Sequence, residues 1–295
     1  MGFESYHPAM NFLYFLSVLA GTILFPHPVF LGISYFCAFL YSVKRRGWKA
    51  LVFNLCLLPF VVLFAFYYAS YHHFGLTILG RNFIGNNLTV ESFVYGLFLG
   101  LKVVTICMWL SCMFTIFTAD KVVYLFGTVS PTLSLFLSIL LRMVPRCKVQ
   151  WKKLSTARQA IGRGPRQGNL LRRMSNGIKL FSMTITWLLE SMATISDSMR
   201  SRGHGLKGRT AFSIYRFDNR DRSFVIAIFA CITITIMGHL LNQTTFYFDP
   251  ILIMNPVTVL SYGFYAGYLC LCILPLAVEI FGEWSFRRSR KALPV

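Results

Sequence analysis

Six apolar segments constrain this chain more than any other feature of its sequence. They cover residues 9–24, 28–43, 50–71, 92–118, 223–241 and 251–280. Crossing the hydrocarbon core of a bilayer takes about twenty apolar residues, and fewer where flanking side chains snorkel. A charged fraction of only 13% also sets the chain of 295 residues apart from soluble domains. The sequence therefore predicts an all-α fold, a polytopic membrane helical bundle.

The placement of lysine and arginine predicts how this bundle lies in the membrane. Basic clusters occur at 44–49, throughout 142–222 and at 287–291. Basic residues accumulate in the cytoplasmic loops of membrane proteins. Six spans with both termini in the cytoplasm satisfy all three clusters, so we expect a multi-pass protein of a cell membrane, in a bacterium.

One further apolar segment, residues 123–141, does not fit that count. Residues 118 and 142 must lie on the same side of the membrane if six spans are correct. Gly127 and Pro131 interrupt the segment, which disfavours a regular span. We expect it to be re-entrant or to lie in the membrane interface.

The polar middle of the chain divides it into three predicted domains. An N-terminal transmembrane bundle covers 1–141, a cytoplasmic domain covers 142–222, and C-terminal transmembrane helices with a basic tail cover 223–295. Residues 142–222 hold eighteen of the 29 lysines and arginines but only four acidic residues. Because this charge lies beside membrane spans, we expect contacts with membrane lipid and with a partner protein, and none with nucleic acid.

The cytoplasmic domain contains two predicted helices, about 146–161 and 176–202, both long and amphipathic. In the second, apolar residues recur at spacings of three and four, which is the pattern of a heptad seam. The seam comprises Ile178, Phe181, Ile185, Leu188, Met192, Ile195 and Met199. It leads directly to Arg202 and then to Gly203, which suits a helix C-terminus. Arg202 either caps its own helix, where the dipole favours a cation, or enters an acidic groove of a partner.

The first of these helices is predicted to begin at Pro145 and to stop at Gly162-Arg163-Gly164-Pro165. Both helices thus end in a glycine with arginine close by. Two similar tips suggest two similar sockets, and paired sockets suggest a dimeric partner.

Several motifs, in order along the chain, resemble those of one family. They are His7-Pro8-Ala9-Met10-Asn11-Phe12, Arg142-Met143-Val144-Pro145, Ser198-Met199-Arg200-Ser201-Arg202-Gly203-His204-Gly205 and Gly208-Arg209-Thr210. The chain resembles the transmembrane T component (EcfT/CbiQ family) of energy-coupling factor transporters. His7 departs from the aspartate that is usual there, and Ser201 departs from the usual alanine.

The resemblance implies a coupling subunit with two cytoplasmic coupling helices, whose tips dock onto a pair of ABC-type ATPases. Ser201, Arg202 and Gly203 would form one tip, and Ala160, Ile161 and Gly162 the other. The second set lacks the family's arginine, for which only Arg158 or Arg163 can stand in. The membrane helices would hold a small hydrophobic S component that binds a vitamin or a metal ion.

The resemblance also implies that this chain binds no cofactor and that ATP and Mg²⁺ belong to the partner subunits. The sequence agrees, because it contains no Walker A pattern, and it shows neither a catalytic set nor a metal-binding set. Two other classes stay open. One is the permease of another type of ABC importer, and the other is a membrane enzyme, for which Asp218 and Asp221 form the one close acidic pair.

Overall fold

The computed structural model describes residues 2–72, 74–81, 85, 87–206, 215, 217–241, 243, 246–247, 253–254 and 256–291. The predicted all-α bundle is confirmed. Within the described residues the helices are α1 (Pro8–Leu24), α2 (Pro28–Arg46), α3 (Trp48–Tyr71), α4 (Val90–Ile116), α5 (Ala119–Val129), α6 (Pro131–Ala160), α7 (Leu170–Ser201), α8 (Asn219–Leu240) and α9 (Val259–Lys291). Two short antiparallel hairpins accompany them: β1 (Ile78–Arg81) with β2 (Asn87–Thr89), and β3 (Phe246–Tyr247) with β4 (Ile253–Met254).

The chain divides into two compact units. The first unit comprises residues 1–118 and 215–295, and the second comprises 119–214. The domain boundaries expected at 142 and 222 fall inside α6 and α8. A helix is one rigid segment, so the unit boundaries lie instead in the connections before α5 and before α8.

Four of the described helices, α3, α4, α8 and α9, are long and apolar enough to cross a membrane. They correspond to four of the six predicted segments. Helix α1 is apolar but has 17 residues. Helix α2 ends in three consecutive basic residues, which lower its mean hydropathy. One face of this helix is buried in the bundle.

The last predicted span starts too early in the sequence. Residues 251–258 were expected to be helical, but Ile253 and Met254 form β4, and α9 begins at Val259. An apolar run does not by itself distinguish a strand from a helix. Pro256 disfavours the α conformation at the preceding residue, so the helix starts only after it.

The core of the first unit contains a chain of polar side chains that joins four helices. The indole Nε1 of Trp109 in α4 donates to the Oγ of Ser34 in α2, at 2.9 Å. The hydroxyl of Ser34 lies 2.9 Å from that of Thr22 in α1, which is 3.3 Å from the hydroxyl of Tyr268 in α9. All four side chains are buried. Buried polar groups need such partners, so this chain fixes the positions of the four helices relative to one another.

Small residues bring α3 and α4 close together. A Cβ atom added to Gly96 would lie 3.0 Å from the backbone of Ala65, and one added to Gly100 would lie 3.1 Å from the carbonyl oxygen of Val61. Helices within membranes commonly approach at such positions. In α9, Gly267 packs on Ile234, whereas the space beside Gly263, four residues earlier, is open.

The segment 123–141 lies in a helical hairpin formed by α5 and the first part of α6. Helix α5 contains Gly127, which packs on Ser134, and the chain breaks at Ser130-Pro131. Helix α6 then runs without interruption through Pro145, so the prediction that a helix begins at Pro145 is wrong. A proline costs about 3 kcal/mol in a helix interior.

Candidate functional site

Helices α6 and α7 of the second unit are antiparallel neighbours. Near the end of α6, Arg158 Nη1 lies 3.5 Å from the sulfur of Met183 in α7. In the middle of α6, Ile139 and Arg142 line one cavity with Met199 and Arg202 from the end of α7. Residue numbers along α6 therefore increase in the direction in which those along α7 decrease. The C-terminal ends of the two helices therefore lie at opposite ends of the section over which they pack.

The face that α7 turns toward α6 differs from the predicted seam. Leu180 and Thr184 are buried, whereas Phe181 and Ile185 of the seam are 58% and 39% exposed. Met192 is exposed as well, and Leu188, Ile195 and Met199 are partly buried. The buried face is thus shifted by one residue in this part of α7, whereas farther along Ile195 and Met199 of the seam line a cavity together with residues of α6. Helix α7 also starts at Leu170, six residues before the predicted start at Asn176.

The end of α7 adopts a complete Schellman motif. Gly203 has a φ of 80°, its N–H donates to the carbonyl of Arg200, and the N–H of His204 donates to the carbonyl of Met199. Glycine adopts this left-handed conformation without the steric cost that a Cβ atom brings. The prediction that Gly203 terminates the helix in the left-handed region is confirmed. Arg202 is the C-cap residue, and both Ser201 and Arg202 are exposed.

The end of α6 adopts the same motif. Gly162 has a φ of 69°, its N–H donates to the carbonyl of Gln159, and the N–H of Arg163 donates to the carbonyl of Arg158. Ile161 is the C-cap residue and is 69% exposed, and Ala160 before it is exposed too. We name Ala160, Ile161 and Gly162 the first tip, and Ser201, Arg202 and Gly203 the second tip. The two tips have one backbone geometry and different side chains.

The two arginines that can replace the missing arginine of the first tip lie in different environments. Arg158 is buried, and its Nε donates to the carbonyl oxygen of Arg163 at 3.2 Å. It therefore holds together the turn that ends its own helix. Arg163 is exposed. The geometry favours Arg163 as the cation that the first tip can present to a partner.

The second tip borders a cavity of about 390 Å³ with a strongly positive lining, which we name the arginine pocket. Helix α6 contributes Arg142 and Arg146, and α7 contributes Arg202. The hydroxyl-bearing residues Thr194 and Ser198 complete its polar lining, and Met143 and Ile195 are among its apolar residues. Guanidinium groups bind carboxylates and phosphates in a bidentate manner. The arginine pocket is thus suited to an anionic group.

Arg146 and Thr194 had no predicted role, and Arg142 and Ser198 were noted only as members of motifs. A signal for them was present. Arg142 and Arg146 are four residues apart, as are Thr194, Ser198 and Arg202, so each set follows one face of a helix. Only the antiparallel packing of α6 and α7 brings the two faces together.

The acidic pair considered for an enzyme has a structural position in the first unit. Asp218 and Asp221 form a capping box at the start of α8, and Oδ1 of Asp221 also accepts from the backbone N–H of His7 at 3.1 Å. Backbone N–H groups are among the partners of these two carboxylates. Within the described part of the chain, no three histidine, cysteine, aspartate or glutamate side chains are grouped as a metal site.

Comparison with protein-family models and with curated proteins finds no match for this chain. The Gly208-Arg209-Thr210 motif lies outside the described residues.

Proposed function

We propose that this chain is the transmembrane coupling subunit of an energy-coupling factor importer, an ABC-type transporter for vitamins or metal ions. Two separate ATPase subunits would bind and hydrolyse ATP with Mg²⁺, and this chain would transmit their motion to a substrate-binding S component. In this proposal it is not itself an enzyme and holds no cofactor. The observation that carries the proposal is the pair of matching tips in the second unit.

The spacing of the tips supports two docking sites rather than one. Arg202 lines the arginine pocket with Ile139 of α6, whereas the first tip follows Ala160 at the end of that helix. Twenty-odd residues of α-helix span roughly 30 Å at 1.5 Å per residue. Two tips so far apart do not enter one groove, but they suit two subunits side by side.

The charge of the second unit supports an acidic partner surface. Residues 119–214 contain sixteen lysines and arginines against Asp120, Glu190 and Asp197. Such a field accelerates association with an acidic surface, and paired charges at the contact then fix the register. The exposed guanidinium of Arg202, next to two more in the arginine pocket, is the strongest local source of this field.

The apolar helices of the first unit supply the membrane part of the proposal. Helices α3, α4, α8 and α9 can each cross a bilayer, and together they give the chain a multi-pass membrane domain. An S component, itself a small hydrophobic protein, would bind to this domain within the membrane. The alternative of a permease from another ABC importer type does not call for two long helices with matching tips.

The test is affinity purification from detergent-solubilised native membranes, with mass spectrometry of the copurifying proteins. We compare wild type, Arg202→Glu and Arg200→Glu. Arg200 is exposed and lies two residues away but does not line the arginine pocket, so it matches the charge change without the position. We expect ABC-type ATPases with wild type and Arg200→Glu, and roughly thirtyfold less or lower with Arg202→Glu, since losing one partner of a contact charge pair costs about 2–5 kcal/mol.

ATPases at equal levels in all three samples would remove Arg202 from the contact. No ATPase with the wild-type chain would refute the coupling function itself, because that function has no other source of energy.

A further inference from the structure

A groove of about 560 Å³ runs along the C-terminal half of α9 in the first unit. Its apolar lining includes Leu274, Ala277, Val278 and Phe281. Its polar lining comprises Arg220 at the start of α8, Tyr6 after the N-terminal turn, and Ser285 and Ser289 of α9. None of the described residues that line it is acidic. Apolar and polar groups thus lie at successive positions along one helix.

The position of this groove on α9 corresponds to the boundary between hydrocarbon and headgroups. Helix α9 has 33 residues and is about 50 Å long, whereas a hydrocarbon core of about 30 Å needs some twenty of them. Counted from Val259, the apolar lining residues fall in the last turns of that core, and Ser285 and Ser289 fall beyond it. Trp284, directly before Ser285, is 60% exposed and lies under the guanidinium of Arg288. Tryptophan is enriched at membrane interfaces, which agrees with this position.

Acidic side chains near this end of α9 are occupied elsewhere. Glu279 and Glu283 line a different cavity, where Glu279 pairs with Arg45 at 3.4 Å and Glu283 pairs with Lys44 at 2.7 Å. Asp221 accepts from two backbone N–H groups. Burial raises the pKa of the Tyr6 hydroxyl, the nearby charge of Arg220 lowers it, and the charge of Asp221 raises it further. Among the described residues that line the groove, the one charged side chain is that of Arg220, and its charge is positive.

From this arrangement we propose that the groove is a binding site for one anionic phospholipid of the surrounding bilayer. The phosphate is held by the guanidinium of Arg220 with the hydroxyls of Tyr6 and Ser285, and an acyl chain lies on Leu274, Val278 and Phe281. A guanidinium beside hydroxyl donors matches a phosphate, and the apolar floor matches the chain attached to it. This inference does not rest on the proposed function.

The experiment is native mass spectrometry of the full chain, delipidated in detergent and titrated with phosphatidylglycerol or phosphatidylcholine of identical acyl chains. We expect wild type to bind phosphatidylglycerol in preference. Arg220→Gln should weaken that binding about tenfold, the size expected for one lost charge-assisted hydrogen bond. The control Arg222→Gln removes the same charge from an exposed position outside the groove and should bind as wild type does.

Ala277→Trp provides a second variant that keeps every charge but fills the apolar part of the groove, and it should weaken the binding of both lipids. It decides the question if Arg220→Gln does not fold. An excess of glycerol phosphate should leave the bound lipid in place, because it lacks the acyl chain. Equal binding of the two lipids by wild type, unchanged binding by the folded variants, or displacement by glycerol phosphate would each overturn the proposal.

Discussion

Ile161 occupies at the end of α6 the same C-cap position that Arg202 occupies at the end of α7. Each stands immediately before a glycine with positive φ, and each is followed by the same pair of backbone hydrogen bonds. The first tip therefore presents an apolar side chain where the second presents a guanidinium. Under the proposed function, the sockets that receive these tips would differ in character, which favours two different ATPase subunits over two identical ones.

The substitution Ile161→Arg should give the first tip the side chain of the second. Because Ile161 is 69% exposed, the change should leave the thermal unfolding temperature within about a degree of wild type. Under the proposed function, it should alter the amount of copurified ATPase, measured as for Arg202→Glu. Ile161→Gln is the control without charge. If the two variants copurify equal amounts, the charge at the first tip plays no part in docking.

The substitution Gly203→Ala should loosen the end of α7. Gly203 has a φ of 80°, and an L-residue there costs roughly 1–2 kcal/mol. We expect about tenfold faster hydrogen exchange at the amide of His204, which donates to the carbonyl of Met199. The control is Gly177→Ala in the interior of α7, where an added Cβ meets nothing within 4 Å. The control should not speed hydrogen exchange at the amide of His204. Faster exchange of this amide in both variants would contradict the role of Gly203 in closing the helix end.

The substitution Gly96→Ala should destabilise the first unit through the contact between α3 and α4. The added Cβ would lie 3.0 Å from the backbone of Ala65, and backbone atoms do not yield as a flexible side chain does. Overpacking of this kind costs about 1–3 kcal/mol. Gly32→Ala in α2 serves as the control, since the space around Gly32 is open. Thermal unfolding in one detergent measures both, and equal midpoints would refute the close contact.

Two histidines should make the first unit less stable in acid. The Nδ1 of His7 accepts from the N–H of Ala9, and the Nδ1 of His27 accepts from the N–H of Val29, so each caps a helix through an unprotonated nitrogen. Burial lowers the pKa of both, and the charge of Asp221 raises the pKa of His7 in partial compensation. The only group in hydrogen-bond contact with Nε2 of His27, among the described residues, is the hydroxyl of Tyr265.

Because the folded pKa values lie below the ordinary value of about 6.5, the unfolded chain binds more protons beneath that pH. Stability should therefore fall as the pH is lowered from about 7.5 to 5. Asparagine caps helices without titrating, so the double variant His7→Asn, His27→Asn should lose less. Thermal unfolding midpoints of both proteins at the two pH values test this. If the midpoint falls by the same amount in the double variant as in wild type, the acid sensitivity belongs to other groups.

Local patterns were sufficient to predict the helices of the first unit and the end of α7. Hydropathy over about twenty residues places α3, α4 and α8, because nothing but a helix satisfies its backbone across so long an apolar run. Arg202-Gly203 marks a helix end because glycine suits the left-handed C-cap. Pro145 misled the prediction because proline is common at the first position of a helix and is unfavourable in its interior, yet α6 continues through it.

The arginine pocket could not be predicted, since it depends on how two distant segments pair. Arg142 and Arg202 are sixty residues apart, and each reads alone as a solvated charge on a basic helix. The predicted seam of α7 differs from its buried face for a related reason. The seam was defined by large apolar residues, such as Phe181, whereas the buried residues in this stretch are Leu180 and the smaller Thr184. Close approach of two backbones favours small residues, and hydrophobicity alone does not reveal it.

The antiparallel course of α6 and α7 has a mechanical consequence. The two helix ends lie at opposite extremes of one stiff rod, roughly 30 Å apart. Equal and opposite forces applied at these two points, perpendicular to the rod, produce no net force. They produce a torque whose lever arm is the separation of the two helix ends. Whatever grips both ends and moves them in opposite senses rotates the rod about its centre. The hairpin is therefore built to turn rather than to push.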